Sequence, residues 1–391
     1  MSERNGGINT RAVSAGELKI KEFGNVVTPI FQNATFIYPN YESGAINDPS
    51  TGKPYIYSRW GNPTVNSLEQ KYAAIEGSEF GISFSSGMSA ISCLAMSKLK
   101  RGMKLLSASE LYGQTYSYFL NKLMEIGIDV TFMDTSTLNE GSFKASDYDM
   151  IYAESITNPT DMVTDIQLLG SLCRDTGTEL AIDATFASPV NQNPLDLGAD
   201  YVVHSGTKYL SGHSDAICGF LGTNDDPGAI YDMRKNLGPV LDPTQAYIIS
   251  RGMKTIGLRV GRQNENAMKI SKFLEENGKV ESVFYPGLES NPYHKIARRN
   301  LKGYGGMLSF EIKGGVDQAR KFLGKLRYIT PAPSLGGVES LVTLPIDTSH
   351  SSMSKAQREK IGIKDGLVRF SCGIEDAEDL IEDMKSALDF L

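Results

Sequence analysis

The chain is short of the residues from which several common sites are built. It has four cysteines and four histidines in 391 residues. Cys93, Cys173, Cys218 and Cys372 are scattered, with no Cys-x-x-Cys pair. That argues against a disulfide framework or a zinc site and fits reduced thiols. His204, His213, His294 and His350 show no metal-ligand spacing, so no metal is expected. Runs of lysine or arginine are missing, and the net charge is −7. A nucleic acid or an anionic membrane would find no electrostatic footprint. No apolar run is long enough to span a bilayer. Met1 to Thr10 is polar and lacks the apolar core of a secretory signal. The expectation is a cytoplasmic protein without nucleic-acid or membrane partners. No Gly-x-Gly-x-x-Gly follows a strand pattern either, which argues against a nicotinamide oxidoreductase.

What is present has the composition of a soluble globular protein, 40% apolar and 22% charged. The length predicts two domains sharing one active site. Residues 1–55 are rich in Asn, Gly, Ser and Pro and have little periodicity. They read as an extended arm that packs on something else, such as another subunit. From about Pro63, apolar runs recur at Phe80–Phe84, Lys104–Ala108, Asp129–Met133, Met150–Ala153, Leu180–Asp183, Tyr201–His204 and Ala216–Leu221. Helical patterns lie between several of them, as at Ile91, Leu94, Ala95 and Leu99. A second is Ile166 to Cys173, with Thr164 and Asp165 as cap candidates. This alternation predicts a mostly parallel sheet covered on both faces, over residues 56–245. Residues 246–391, with a strand at Gly305–Ile312, read as a smaller α/β domain.

Ligands of such sheets bind beyond the carboxyl ends of the strands. Lys208 falls there, after the apolar Tyr201-Val202-Val203 and between Thr207 and Tyr209. Alone it reads equally as a solvated lysine or as a Schiff-base lysine, which must be neutral and held in place to act. Asp183 ends the strand upstream. A lysine to form an imine and a carboxylate to keep a pyridinium charged are the minimal equipment for pyridoxal 5′-phosphate (PLP). Ser85-Ser-Gly-Met-Ser89 follows a strand and opens a helix. The N–H groups of Gly87 and Met88 would offer a phosphate site there, and Ser205 and Thr207 would add hydroxyls. Tyr112 follows another strand and suits ring stacking with a phenol as acid or base. Tyr57 and Arg59 lie before the sheet, where Arg59 could bind phosphate bidentately. Arg369, on the apolar strand Gly366–Ser371, wants an anionic partner; a substrate carboxylate would serve, as would a structural salt bridge.

Together these stretches resemble the Cys/Met-metabolism family of PLP enzymes, the cystathionine γ-synthase, cystathionine γ-lyase and methionine γ-lyase group. The resemblance runs from about Gly24 to Leu391. It rests on Tyr57-Ser-Arg-Trp-Gly-Asn-Pro-Thr64, Ser85-Ser-Gly-Met88, Asp183-Ala-Thr185, Ser205-Gly-Thr-Lys-Tyr-Leu-Ser-Gly-His213, Arg251-Gly-Met-Lys-Thr255, Ser334-Leu-Gly-Gly337 and Gly366-Leu-Val-Arg369. It implies an aminotransferase-like, fold type I architecture with a seven-stranded large-domain sheet, in a homotetramer built as a dimer of dimers. It also implies an amino-acid substrate. By this likeness Lys208 bears the cofactor, Asp183 pairs with its ring nitrogen and Tyr112 stacks on it. Gly87, Met88, Ser205 and Thr207 hold the phosphate, with Tyr57 and Arg59 from a partner subunit. Asn158 lies near the ring hydroxyl, and Ser334 and Arg369 take the substrate carboxylate.

Departures blur the choice of reaction. Pro333 stands before Ser334, where cystathionine γ-enzymes usually carry a glutamate suited to a distal ammonium. Gln114 follows Gly113, where methionine γ-lyases typically have cysteine. Ala184 replaces an asparagine, and Leu344–His350 departs from the family's His-Pro-Ala-Ser-Met-Thr-His. The β-lyase branch usually has a tryptophan near Ser334, whereas Trp60 is the only tryptophan here. The Ser334–Ser340 loop resembles the cystathionine branch. The expectation is therefore γ-elimination or γ-replacement, cystathionine γ-lyase or γ-synthase first. The alternatives are methionine γ-lyase, O-acetylhomoserine sulfhydrylase and a non-catalytic PLP-fold protein.

Overall fold

The computed structural model describes residues 6–37, 54–351 and 353–391. Its first sheet contains β1 (Phe80–Phe84), β2 (Lys104–Ala108), β3 (Asp129–Met133), β4 (Met150–Glu154), β5 (Glu179–Asp183), β6 (Tyr201–Ser205) and β7 (Gly219–Thr223). The strands run in the order β1-β7-β6-β5-β4-β2-β3. The β2–β3, β2–β4 and β4–β5 pairs are parallel, and β1–β7 is antiparallel. These strands are short because each apolar run is short, and β4 and β7 are buried along their whole length. That is the pattern of strands covered on both faces. The expected α/β, fold type I organisation is the one found.

The chain divides into two compact units. One comprises Met1–Lys98, Val203–Ser211 and Asp215–Gly257. At its centre lies α2 (Pro63–Glu76), which follows α1 (Ile8–Ser14). The sequence dictates where α2 starts and stops. Asn62 caps it by accepting the Thr64 N–H, Pro63 fills the first turn, and Gly77 ends it at φ 83°. Gln70 alone of α2 escapes full burial, so its charged residues need internal partners. Lys71 Nζ donates to the carbonyls of Ala12 (3.0 Å) and Ala15 (2.7 Å) and pairs with Glu17. These bonds explain why residues 8–14, read from sequence as part of an extended arm, form a short helix. Glu69 accepts from Ser83 and from Arg234 Nη1 (2.5 Å), and Glu76 meets His204 Nε2 at 2.8 Å.

The other unit comprises Leu99–Val202, Gly212–Ser214 and Leu258–Leu391. Its second sheet holds β8 (Val280–Phe284), β9 (Met307–Ile312), β10 (Thr330–Pro331), β11 (Leu341–Thr343) and β12 (Leu367–Ser371), in the order β10-β11-β12-β9-β8. Strand periodicity gives this sheet two characters. Leu308, Phe310, Val368 and Phe370 enter a core with Phe322, Leu380 and Met384 from the helices Val316–Leu323 and Ala377–Asp389. Ser309, Arg369 and Ser371 alternate with those positions, and Arg369 pairs across the strands with Ser309. Among the described residues no helix is long and apolar enough to cross a membrane, and no group of acidic, His and Cys side chains could hold a metal.

Candidate active site

The first group of site residues surrounds the turn after β6. Lys208 N–H donates to the Ser205 carbonyl (3.1 Å), and Ser211 N–H to Gly206 (2.9 Å). Thr207 fastens the turn to the segment before β7. Its Oγ1 accepts the Cys218 N–H (3.0 Å) and donates to the Cys218 carbonyl (3.3 Å). Gly206 must be glycine, since a Cβ would lie 2.5 Å from the Phe220 ring and 2.6 Å from Cys218 Sγ. Gly87 and Met88 open α3 (Gly87–Lys98), whose first turn Ser86 Oγ secures by accepting the Ser89 N–H. A Cβ at Gly87 would stand 2.9 Å from Ser205 Cβ. The structure thus brings Gly87, followed by Met88, beside Ser205, three residues before the half-buried Lys208. Tyr57 and Arg59 form a separate exposed cluster: the guanidinium sits 5.6 Å from the Tyr57 ring centre, and Trp60 meets that ring edge-on. Arg59 Nη1 donates to the Lys235 carbonyl (2.8 Å).

The second group is built on β4, β5 and β12. Glu154 and Asp183 end neighbouring parallel strands and are register partners. Asp183 accepts the Thr185 N–H at 2.9 Å, with the Tyr152 hydroxyl at 3.5 Å. Buried Glu154 holds two loops at once. It accepts the N–H of Tyr112 (2.6 Å) and that of Asn158 (3.1 Å). Burial, with the negative charge of Asp183, pushes its carboxyl well above the ordinary range, although both N–H groups pull the other way. Tyr112 immediately precedes α4 (Gly113–Tyr118), and the residue is 41% exposed, open to a ligand.

Arg369 lies buried on the polar face of its sheet. It donates from Nη1 to Asn158 Oδ1 and from Nη2 to the Ser334 carbonyl, both at 3.2 Å. Those two bonds leave three of a guanidinium's five donors for a ligand. Burial draws its pKa down to about 10, opposed by Asp161 and Tyr112, so it is a cation at neutral pH. Ser334 has φ +95°, a strained value for a residue with a side chain. Its loop is tied back to β12 by the Gly336 N–H on Ser371 Oγ (2.9 Å). Asn158, Ser334 and Arg369 therefore come together, with Tyr112 linked to Asn158 through Glu154.

The comparisons with known proteins follow this geometry. The Cys/Met metabolism PLP-dependent enzyme family model matches residues 9–389. The chain belongs to that family. It is 41% identical to an L-methionine gamma-lyase of Fusobacterium nucleatum subsp. polymorphum, covering 100% of both chains. It is 39% identical to a cystathionine beta-lyase of Lactococcus lactis subsp. cremoris, covering 98% of this chain and 99% of that one. A solved cystathionine gamma-lyase of Lactobacillus plantarum, complexed with L-serine, superposes with a TM-score of 0.91 at 33% identity, covering 98% of this chain and 99% of that one. The protein is thus a PLP-dependent enzyme.

The residues of this family member fit that cofactor. A side chain at Gly87 would fill the space beside Ser205 at a helix N-terminus, as a phosphate cradle requires. Asp183 supplies a fixed carboxylate and Lys208 an amine on a clamped turn. Sequence reasoning missed Glu154, although the signal was available: like Asp183, it is a carboxylate closing an apolar strand run. Asp161 was also missed, and nothing in its sequence context distinguishes it from a solvated loop residue.

Proposed function

We propose that the protein carries out γ-elimination or γ-replacement on sulfur-containing or O-acylated homoserine-type amino acids, with cystathionine γ-lyase or γ-synthase chemistry first. The observation that carries this reading is the Arg369 clamp: a buried cation, oriented by Asn158 and the Ser334 carbonyl, with donors to spare for a planar carboxylate. The Ser334–Ser340 loop, which resembles that of cystathionine enzymes, supports the γ assignment. The relatives' names span γ- and β-lyases, so the reaction itself is what the experiment must decide.

When bound, PLP supplies an electron sink for the charge left at the substrate α-carbon. In this proposal Gly87, Met88, Ser205 and Thr207 hold its phosphate, joined by Tyr57 and Arg59 of a partner subunit. Asp183 holds a negative charge opposite the ring nitrogen, Asn158 lies near the ring hydroxyl, and Tyr112 lies against the ring. Lys208 Nζ anchors the cofactor, then takes the proton from the substrate α-carbon and returns it further along. Tyr112 Oη gives a proton to the departing γ substituent. Ser334 and Arg369 orient the substrate carboxylate. We further infer a cytoplasmic homotetramer, a dimer of dimers with shared sites. Trp60, 53% accessible beside the Tyr57–Arg59 cluster, supports a protein-covered surface there.

A methionine γ-lyase reading has its own support in Pro333. That residue is exposed and uncharged, and Glu339 in the same loop is already bonded to Ser214. The test is a product assay on L-cystathionine, L-methionine, L-homocysteine and O-acetyl-L-homoserine, the last with and without L-cysteine. Release of 2-oxobutanoate, or γ-replacement by cysteine, is expected. Pyruvate as the main product would overturn γ chemistry, and methionine cleavage with inert cystathionine would reverse the order of the two readings.

A further inference from the structure

Asp161 is a buried acid that neither the fold nor the proposed mechanism uses. It is 1% exposed, and neither carboxylate oxygen has a hydrogen bond of full geometry. Its φ of +51° places a side chain in the left-handed region, an added cost. A buried carboxyl with only loose hydrogen bonds from Ser309 is expensive, and an apolar or amide side chain would cost less. Yet the surrounding loop is held firmly against the carboxylate clamp. Asp161 N–H donates to the Thr157 carbonyl (3.0 Å), and Ser309 Oγ donates to the Pro159 carbonyl (2.6 Å). Arg369, the cross-strand partner of Ser309, bonds Asn158 of the same loop. The charge of Arg369 acts on Asp161.

We propose that Asp161 sets the strength of the Arg369 clamp: as an uncharged acid it leaves the whole cationic field to the substrate carboxylate, and on ionising it competes for that field. This rests on the reading of Arg369 as the carboxylate site. Two carboxylates that share one guanidinium repel, so occupation of the clamp and ionisation of Asp161 oppose each other by linkage. Substrate carboxylate binding then takes up a proton at alkaline pH. Burial, opposed by Arg369 and Ser309, places the Asp161 carboxyl well above its usual range, and its burial without a well-formed hydrogen bond favours the uncharged acid. The other titratable groups acting on Arg369 are Tyr112 and His350. Burial and the Arg369 charge lower His350 to about 4, so it is neutral throughout the range concerned.

The probe is propanoate, a carboxylate without an amine, titrated into the holoenzyme by calorimetry from pH 6.5 to 9.5 in two buffers of different ionisation enthalpy. The parent is expected to bind propanoate several-fold more weakly at the alkaline end and to take up protons on binding. Asp161→Asn, whose amide tolerates positive φ, is expected to flatten the affinity profile and abolish the uptake. Asp161→Gly provides the same test with a residue at ease in that conformation. An unchanged slope in both variants, or a flat parent profile, overturns the inference while the clamp stands. The Arg369→Gln holoenzyme separates the two levels. Loss of propanoate binding upholds the clamp, and retained binding overturns both the clamp reading and the role of Asp161.

Discussion

The Lys208 turn and the Arg369 clamp solve the same problem, holding a charged group still, by opposite means. The turn uses the chain's own backbone. Glycine at 206 and 87 lets segments approach, and Thr207 stitches the turn to Cys218 with bonds of 3.0 and 3.3 Å. Apart from Gly87, its parts lie close together along the sequence. The clamp draws on Asn158, Ser334 and Arg369, which are distant in sequence, and it buries ionisable groups to do so. A backbone-built turn costs little beyond its glycines. A buried cation with a buried acid nearby carries desolvation that a ligand or a proton would help to offset.

Ways to break this contrast can be ranked by expected effect. Lys208→Ala should lower turnover by at least about 10³-fold, given that one positioned acid–base group contributes 10²–10⁴. Stopped or steady-state rates near the parent's would show that the turn does not carry the chemistry. Arg369→Gln should raise KM by about 10–100-fold, the loss expected for a charge-assisted hydrogen bond of about 1.5–3 kcal/mol. A fall in kcat alone would mean that the clamp binds no substrate. Glu154→Gln keeps the shape but offers one carbonyl oxygen to the two N–H groups of Tyr112 and Asn158. An N–H left without an acceptor costs about 1–3 kcal/mol, and roughly tenfold lower kcat/KM is expected. An unchanged value would detach those loops from the chemistry. Gly87→Ala puts a methyl 2.9 Å from Ser205 Cβ. Overpacking of that kind costs about 1–3 kcal/mol, so PLP should dissociate about tenfold more readily on dialysis, and parent-like retention would remove the cradle.

The smallest effect concerns stability. The folded-state pKa of Asp161 is raised. Its contribution is therefore fully present below the unfolded carboxyl pKa and is lost as pH rises toward the folded one. Asp161→Asn should gain in melting temperature relative to the parent between mildly acidic and neutral pH and show its least advantage near pH 3. A difference independent of pH would mean that Asp161 is ionised in the native protein.

The same contrast explains what the sequence made legible. The runs Phe80–Phe84, Lys104–Ala108 and Asp129–Met133 match β1, β2 and β3 to the residue, because a short, mainly apolar run between turn residues is a local strand signal. Asp165 caps the helix Ile166–Cys173 by accepting the Leu168 N–H, as its position before the apolar pattern suggested. The Lys208 turn was readable because glycines and hydroxyls beside a strand end are a local signal. Helix α1 was not, since Lys71, about sixty residues away in sequence, holds its carbonyls. Asp161 was unreadable for the same reason: its burial is set by Ser309 and Arg369, which the chain reaches much later.

The central claim, that Lys208 carries the cofactor, has a direct test. The holoenzyme is reduced with borohydride and digested, and the pyridoxyl group is located by mass spectrometry. It should sit on the peptide containing Lys208, with loss of the visible absorption band. A pyridoxyl group on any other lysine, or none at all, would contradict the account.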